Sequence, residues 1–257
     1  ATAIGFAVQE GLLSVDDKVV SFFSEDELPA PENQSEWLKQ MTIKDLLIMS
    51  SGFEKDMVAL EGCRHYIYDW TKEQLSYDVI FEPGSQYKYN SGNTYLLSAI
   101  ITKVTGQKTS DYLETRLFKP LGIKDYYWEE SPAGITAGGW GLFLTIESFA
   151  KAGQFFLQKG QWNGKQLLNS EWFDEATSAQ IYQYPHQVDT EVGPDDWHSG
   201  YAYQLWRCTH NAYRMDGAHV QYCIVFPEKN AVVAFFCFHR HKQILMKSFW
   251  NHVYPTL

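Results

Sequence analysis

Several short stretches of this chain hold residue types and spacings that could do chemistry. "YNSG" places Tyr89 and Ser91 two residues apart, just ahead of a long apolar run. A phenol titrates near 10, so a tyrosine serves as a base at neutral pH only where nearby cations favour the phenolate. Taken alone, Tyr89 lies between Tyr87 and Tyr95 and is more readily read as a core aromatic with a bonded hydroxyl. "MDGAHVQY" sets Gly217, Ala218, His219 and Gln221 at the head of an apolar strand pattern, with Arg214 shortly before. Arg214 could supply positive charge, but a solvated arginine at a strand end is the simpler reading. "HRH" at 239–241 resembles a metal pair, yet no carboxylate or cysteine stands at ligand spacing, and it reads as a polar turn. "GGWG" at 138–141 is not a phosphate loop, because no Lys-Ser or Lys-Thr follows it. Its Trp140 is a candidate wall of a substrate pocket, while Trp197 and Trp206 serve equally as core or rim.

The elements that must position these residues follow from periodicity and capping. Ile4, Phe6, Ala7, Leu12 and Leu13 read as one buried face of a first helix that has no Ser, Asp or Asn cap in front of it. "MTIKDLLIMSSG" predicts a helix capped by Thr42 and stopped by Gly52. Thr71 and Gln74 have capping-box spacing. Leu96, Leu97, Ile100, Ile101 and Val104 share one helical face that Gly106 ends. Two further helices are expected, with caps at Ser110 and Thr145, the second stopped by Gly160. Three stretches, 24–36, 129–141 and 184–200, are rich in Pro, Gly or acid and read as surface excursions.

After about residue 200 the apolar period changes from 3.6 to 2. "GYAYQLWRC", "AYRMDG", "HVQYCIVF" and "NAVVAFFCFH" predict four strands with short, hence antiparallel, connections. "KQILMKSFWNHVY" predicts a closing helix over one face of that sheet. The layout is α+β: a helical region over about 1–180, then an antiparallel sheet and a helix over about 200–257, read as a single domain.

Composition narrows the function. The 257 residues are 45% hydrophobic, 20% charged and 16% aromatic, with a net charge of −10. The acidic balance argues against a nucleic-acid partner and an electrostatic membrane anchor, and no apolar run approaches the roughly 20 residues of a membrane helix. Cys63, Cys208, Cys223 and Cys237 show no C-x-x-C and read as buried thiols, which favours a reducing, cytoplasmic setting.

Four segments, in order along the chain, resemble motifs of the serine β-lactamase and penicillin-binding-protein superfamily, in its class C-like branch with esterases and amide hydrolases. They are "MTIKDLLIMSSGF", "EPGSQYKYNSGNTYLLSAIITKVTG", "GGWGLFLTIESFAKAGQFFLQKGQWNGKQLL" and "YRMDGAHVQYCIVFPEKNAVVAF". The resemblance implies a transpeptidase-like antiparallel sheet flanked by helices, with a mostly helical subdomain. It implies acyl transfer to a serine, then attack by water, on an amide, ester or peptide-like substrate, with no metal or organic cofactor. Tyr89 falls on the tyrosine of the family's Y-x-N motif, the general base or proton shuttle, and Ser91 stands where asparagine is usual. Gly217 and Gln221 match the third motif, and the Gln221 N–H falls on an oxyanion donor. Ala218 occupies the place of the cation, His219 stands one place later, and Val220 replaces a glycine beside the substrate. Neighbouring strand residues face opposite ways, so His219 takes the place of Ala218 only if a bulge re-aims it.

Family members carry S-x-x-K at the start of the long helix whose continuation resembles "ATAIGFAVQEGLLSVDDKV". The chain opens inside that continuation. The resemblance therefore implies that the nucleophilic serine, its lysine and the N-terminal strands of the sheet precede Ala1, and the chain is taken to lack the motif; "SSGFEK" has the wrong spacing. Two outcomes follow. One is a serine hydrolase completed upstream of Ala1, and the other is an inactive fragment or binding protein that keeps the fold. An exposed sheet edge would favour self-association or pairing with the N-terminal segment.

Overall fold

Helix and strand boundaries follow local signals in the computed structural model, which describes residues 1–57, 67–183, 196–238 and 242–257. These form two compact units, residues 1–143 and 144–257.

In the first unit, α1 (Thr2–Gln9) has no side-chain cap and buries Ile4, Phe6 and Ala7, whereas Leu12, expected on the same face, is exposed beyond the helix end. Ser35 caps α2 (Glu36–Gln40). A reciprocal box between Thr42 and Asp45 caps α3 (Ile43–Leu47). α3 stops five residues before Gly52 because Met49 already turns left-handed at φ 57°. Asp69, not Thr71, caps α4 (Trp70–Leu75), which leaves Gln74 buried rather than solvated at a helix start. α5 (Ser91–Thr105) runs from Asn90 to a left-handed Gly106 and buries Leu96, Leu97, Ile100 and Ile101. α6 (Thr109–Leu113) takes Ser110 inside its first turn, where the Ser110 N–H donates to Thr136 Oγ1, so Ser110 is not the cap. A π-helical turn, Glu114–Phe118, leads into α7 (Lys119–Leu121). The stretch at 129–141 is not purely irregular at its flanks: β1 (Tyr126–Trp128) pairs with β2 (Leu142–Leu144).

In the second unit Thr145 caps α8 (Ile146–Leu157) as expected. A short hairpin of β3 (Gln161–Trp162) and β4 (Lys165–Gln166) precedes α9 (Ser170–Ala176). β5 (Trp206–Arg207), β6 (Tyr213–Gly217), β7 (Gln221–Phe226) and β8 (Ala231–Phe236) form one antiparallel sheet in that order. The run "YCIVF" is apolar throughout because both faces of β7 are covered. Tyr222, Ile224 and Phe226 share a core with Met246 and Phe249 of α10 (Lys242–His252), while α8 packs on β7 and β8. The closing helix thus covers one sheet face. Among the described residues no helix is long and apolar enough to cross a membrane.

Candidate active site

The loop bearing Tyr89 is set by backbone pairing. Ile80 N–H donates to Gly52 O (2.9 Å), Gly84 N–H to Ser50 O (2.9 Å) and Lys88 N–H to Met49 O (2.8 Å), so residues 49–56 run beside 78–90. Asn90 then starts α5. Its Oδ1 accepts the Gly92 N–H at 2.8 Å and its Nδ2 donates to Lys55 O at 2.9 Å. Beside it, Asp56 Oδ2 accepts the Ser91 N–H at 2.7 Å, which puts a carboxylate at the positive end of the helix dipole. Buried Gln74 accepts the Met57 N–H and donates to Lys55 O, both at 3.3 Å. Asn90 is 1% exposed, Tyr89 47% exposed and Ser91 half-buried. The turn therefore presents its outer two side chains and buries its middle one. The sequence reading missed Asn90, Asp56 and Gln74. An asparagine directly before a helix was the available signal for the first, and nothing local marks the other two.

Trp140 reaches the same end of α5. Gly138 has φ 75°, and a Cβ there would lie 2.9 Å from Thr94 O; one on Gly139 would lie 3.1 Å from Ser91 O. The two glycines let the chain pass flush against the first turns of α5. The following Trp140 ring lies 5.3 Å from Trp70, and Trp140 O accepts from Trp128 Nε1 at 3.0 Å. Tyr89, Ser91 and Trp140 are thus carried by segments that meet at one helix end.

The remaining candidates sit together in the second unit. Gly217 pairs with Gln221, so Ala218, His219 and Val220 form the turn between β6 and β7. His219 and Val220 are both left-handed, at φ 61° and 72°. This corrects the expected strand: it begins at Gln221, and strand alternation does not decide where His219 points. Ala218, His219 and Gln221 are exposed, His219 stacks on Phe238 at 4.7 Å, and Val220 is fully buried. Val220 O accepts the Cys237 N–H at 3.1 Å.

Arg214 does not lie in solvent. It is fully buried, donating through Nε to Asp216 Oδ2 (3.0 Å) and through Nη1 to Asp196 O (2.8 Å). Its guanidinium lies 4.3 Å from the Trp197 ring centre and 5.4 Å from those of Trp206 and Tyr222, which makes both tryptophans walls of an arginine site. Nη1 also lies 3.1 Å from Cys208 Sγ, whose thiol burial pushes up to about 11 against the pull of Arg214. Cys208 and Cys223 are buried free thiols and Cys237 is half-buried; Cys63 and the "HRH" segment lie outside the described residues.

A family model described as Beta-lactamase matches residues 1–243. The chain belongs to the beta-lactamase family. One relative, the uncharacterized protein BpOF4_21049 of Alkalihalophilus pseudofirmus, is 26% identical over 208 residues, 74% of this chain and 53% of that protein. A lovastatin esterase of Penicillium rubens is 27% identical over 139 residues, 46% of this chain and 34% of the esterase. A penicillin binding protein from Bacillus halodurans has a TM-score of 0.69 at 17% identity, over 97% of this chain and 80% of that one. At that identity the likeness is one of fold, the α+β beta-lactamase-like arrangement of helices and antiparallel sheet. The chain spans about half, or less, of the length of the curated relatives it matches.

The S-x-x-K spacing of the beta-lactamase family does occur in the chain, at Ser85–Lys88 and at Ser148–Lys151, which corrects the expectation that it is missing. Neither tetrapeptide is built as a nucleophile. Ser85 is exposed in a turn, with Oγ donating to Glu82 O at 2.5 Å, and Lys88 Nζ donates to Glu54 O. Ser148 is buried in the first turn of α8, where its Oγ accepts from Thr145 Oγ1 at 3.0 Å and its N–H donates back to Thr145 Oγ1. Both serines serve local turn and cap geometry.

Proposed function

We propose that this chain is part of a serine hydrolase of the beta-lactamase family. The hydrolase would pass the acyl group of an amide, ester or peptide-like substrate to a serine and then to water. The serine oxygen bonds the carbonyl carbon, the amine or alcohol leaves with a proton, and water then cleaves the acyl-serine ester. On this reading the serine and its lysine lie outside the 257 residues. Tyr89 moves the proton, and Ser91 and Trp140 border the substrate. The observation that supports it is the Tyr89 turn: Asn90, Asp56 and Gln74 hold the backbone, and an exposed phenol stands at the head of a long helix.

The test is fluorophosphonate labelling of the full-length protein. One serine upstream of Ala1 should label, and Tyr89→Phe should slow labelling about 10²- to 10³-fold, within the range for a positioned general base, at unchanged Tm. Equal labelling rates, or labelling of the 257 residues alone, would remove Tyr89 or the upstream serine from the mechanism. The second reading, a binding protein that keeps the fold, is favoured by Val220, a branched residue held left-handed where the family pattern has glycine. A full-length protein that resists labelling yet binds a peptide-like ligand would select it.

A further inference from the structure

A cavity of about 550 Å³ lies within the first unit, and no residue of the Tyr89 turn lines it. Tyr127 and Glu129 are two apart on and just after β1, which aims both to one side of the ribbon. Phe143, the middle residue of β2, faces Tyr127 with ring centres 5.9 Å apart. Trp70, buried at the start of α4, supplies a third ring. Tyr127 and Phe143 are each about 60% exposed, unusual for two large rings side by side.

Ser131, Pro132 and two carboxylates complete the lining, and the carboxylates differ. Glu130 is neutralised, since Lys108 Nζ donates to both of its oxygens at 2.8 and 2.7 Å. The Glu129 carboxylate has no hydrogen-bond or ion-pair partner among the described residues. Its side chain is nevertheless held in place. The Glu129 N–H donates to Gly141 O at 3.0 Å, and Gly141, at φ 70°, leaves open the space in which the Glu129 side chain lies: a Cβ there would be 2.6 Å from Glu129 Cβ, Cγ and Cδ. A half-buried, fixed carboxylate without a cation partner, in a cavity that three aromatic rings also line, lacks a positive charge that aromatic rings can also attract.

We infer that this cavity binds an organic cation, an alkylammonium group carried by a small molecule. The ammonium sits against Glu129 and its carbon substituents lie on Trp70, Tyr127 and Phe143. Primary and quaternary ammonium ions satisfy the same chemistry, and the volume admits a group well beyond the ammonium itself. The inference is independent of the acyl-transfer reading.

The probe is tetramethylammonium chloride, titrated into the full-length protein at low ionic strength and followed by saturation-transfer NMR. Uncharged tert-butanol serves as the shape control. Saturable millimolar binding of the cation is expected, with tert-butanol at least about five-fold weaker. Glu129→Gln should weaken the cation about five-fold or more and leave tert-butanol unchanged. Phe143→Leu, at an exposed position, should weaken the cation about three-fold, and it keeps the test open if the Glu129 variant misfolds. Equal affinity for cation and alcohol, indifference to both substitutions, or no saturation by about 100 mM would overturn the inference.

Discussion

Val220 sets two effects of similar size against each other. A left-handed backbone costs a branched L-residue about 1–2 kcal/mol, and Val220 sits at φ 72°. Its side chain is fully buried against the core of the second unit, which contributes about 1.5–3 kcal/mol. Glycine would relieve the first and lose the second, and it adds about 0.5–1 kcal/mol of backbone entropy to the unfolded state. Burial should win. Val220→Gly is expected to lower unfolding stability by about 1 kcal/mol, read from a denaturant midpoint at constant slope. A stabilised variant would mean that the turn is held under more strain than its dihedral angles suggest. Arg214 shows the same kind of contest. Its sequence setting, a strand position near a turn, gives no sign of burial. Burial is tolerable because Asp216, the Asp196 carbonyl and three rings replace water around the guanidinium.

At the scale of elements, α5 decides where Tyr89 stands, and Asn90 decides where α5 begins. Asn90→Ala removes the acceptor for the Gly92 N–H and the donor to Lys55 O together. A lost N-cap costs about 1–2 kcal/mol. The larger consequence is that residues 55–57 lose a tie to the helix, so Tyr89 loses its fixed frame. On the proposed serine-hydrolase reading, the expected result in the full-length protein is a kcat loss larger than that of Asn90→Asp, which keeps the cap acceptor, with helix content by circular dichroism nearly unchanged. Equal kcat for both variants would reduce Asn90 to a stability residue. The same helix shows what a sequence discloses. The apolar face of α5, its Gly106 end, the Thr42 and Thr145 caps and the four-strand order were all legible, because each rests on local chemistry or on a repeated period. Thr71 and Ser110 misled as caps, since buried Gln74 and the Thr136 hydroxyl claim those turns through tertiary contacts. The β6–β7 turn was hidden for a related reason: nothing in "AHV" announces two left-handed residues in a row. For the candidate site, the exposed residues could be named from motif spacing, while Asn90, Asp56 and Gln74, which hold them, act across 17 to 35 residues of chain. Spacing alone also over-reports, as the two S-x-x-K tetrapeptides taken up by turn and cap bonds illustrate.

For the whole molecule, a net charge of −10 makes low pH the condition under which folded-state carboxylate partnerships are exposed. Glu10 is the clearest case. Arg116 donates to it through Nε at 2.6 Å and Nη2 at 3.1 Å, and the Tyr112 hydroxyl donates at 3.0 Å, which joins the end of α1 to α6 and the turn after it. The Arg116 hydrogen bond holds the Glu10 carboxyl below its usual value of 4.5, against a smaller opposing effect of burial. A carboxylate with a lowered folded-state pKa stabilises the fold at pH above its unfolded value, and that contribution disappears as pH falls through the folded value. The pair is about one-third exposed, so solvent screening limits it to about 1 kcal/mol. Glu10→Gln removes the charge and turns one of the two acceptor oxygens into a donor. The variant should therefore melt about 2–4 °C below the parent at pH 7. The gap should narrow as pH drops below 4.5 and close once the parent's Glu10 is protonated. Melting curves for both proteins from pH 7 to pH 2.5 measure this directly. A gap that stays constant across that range would mean that Glu10 contributes through packing and neutral hydrogen bonds, and that its charge adds nothing to the fold.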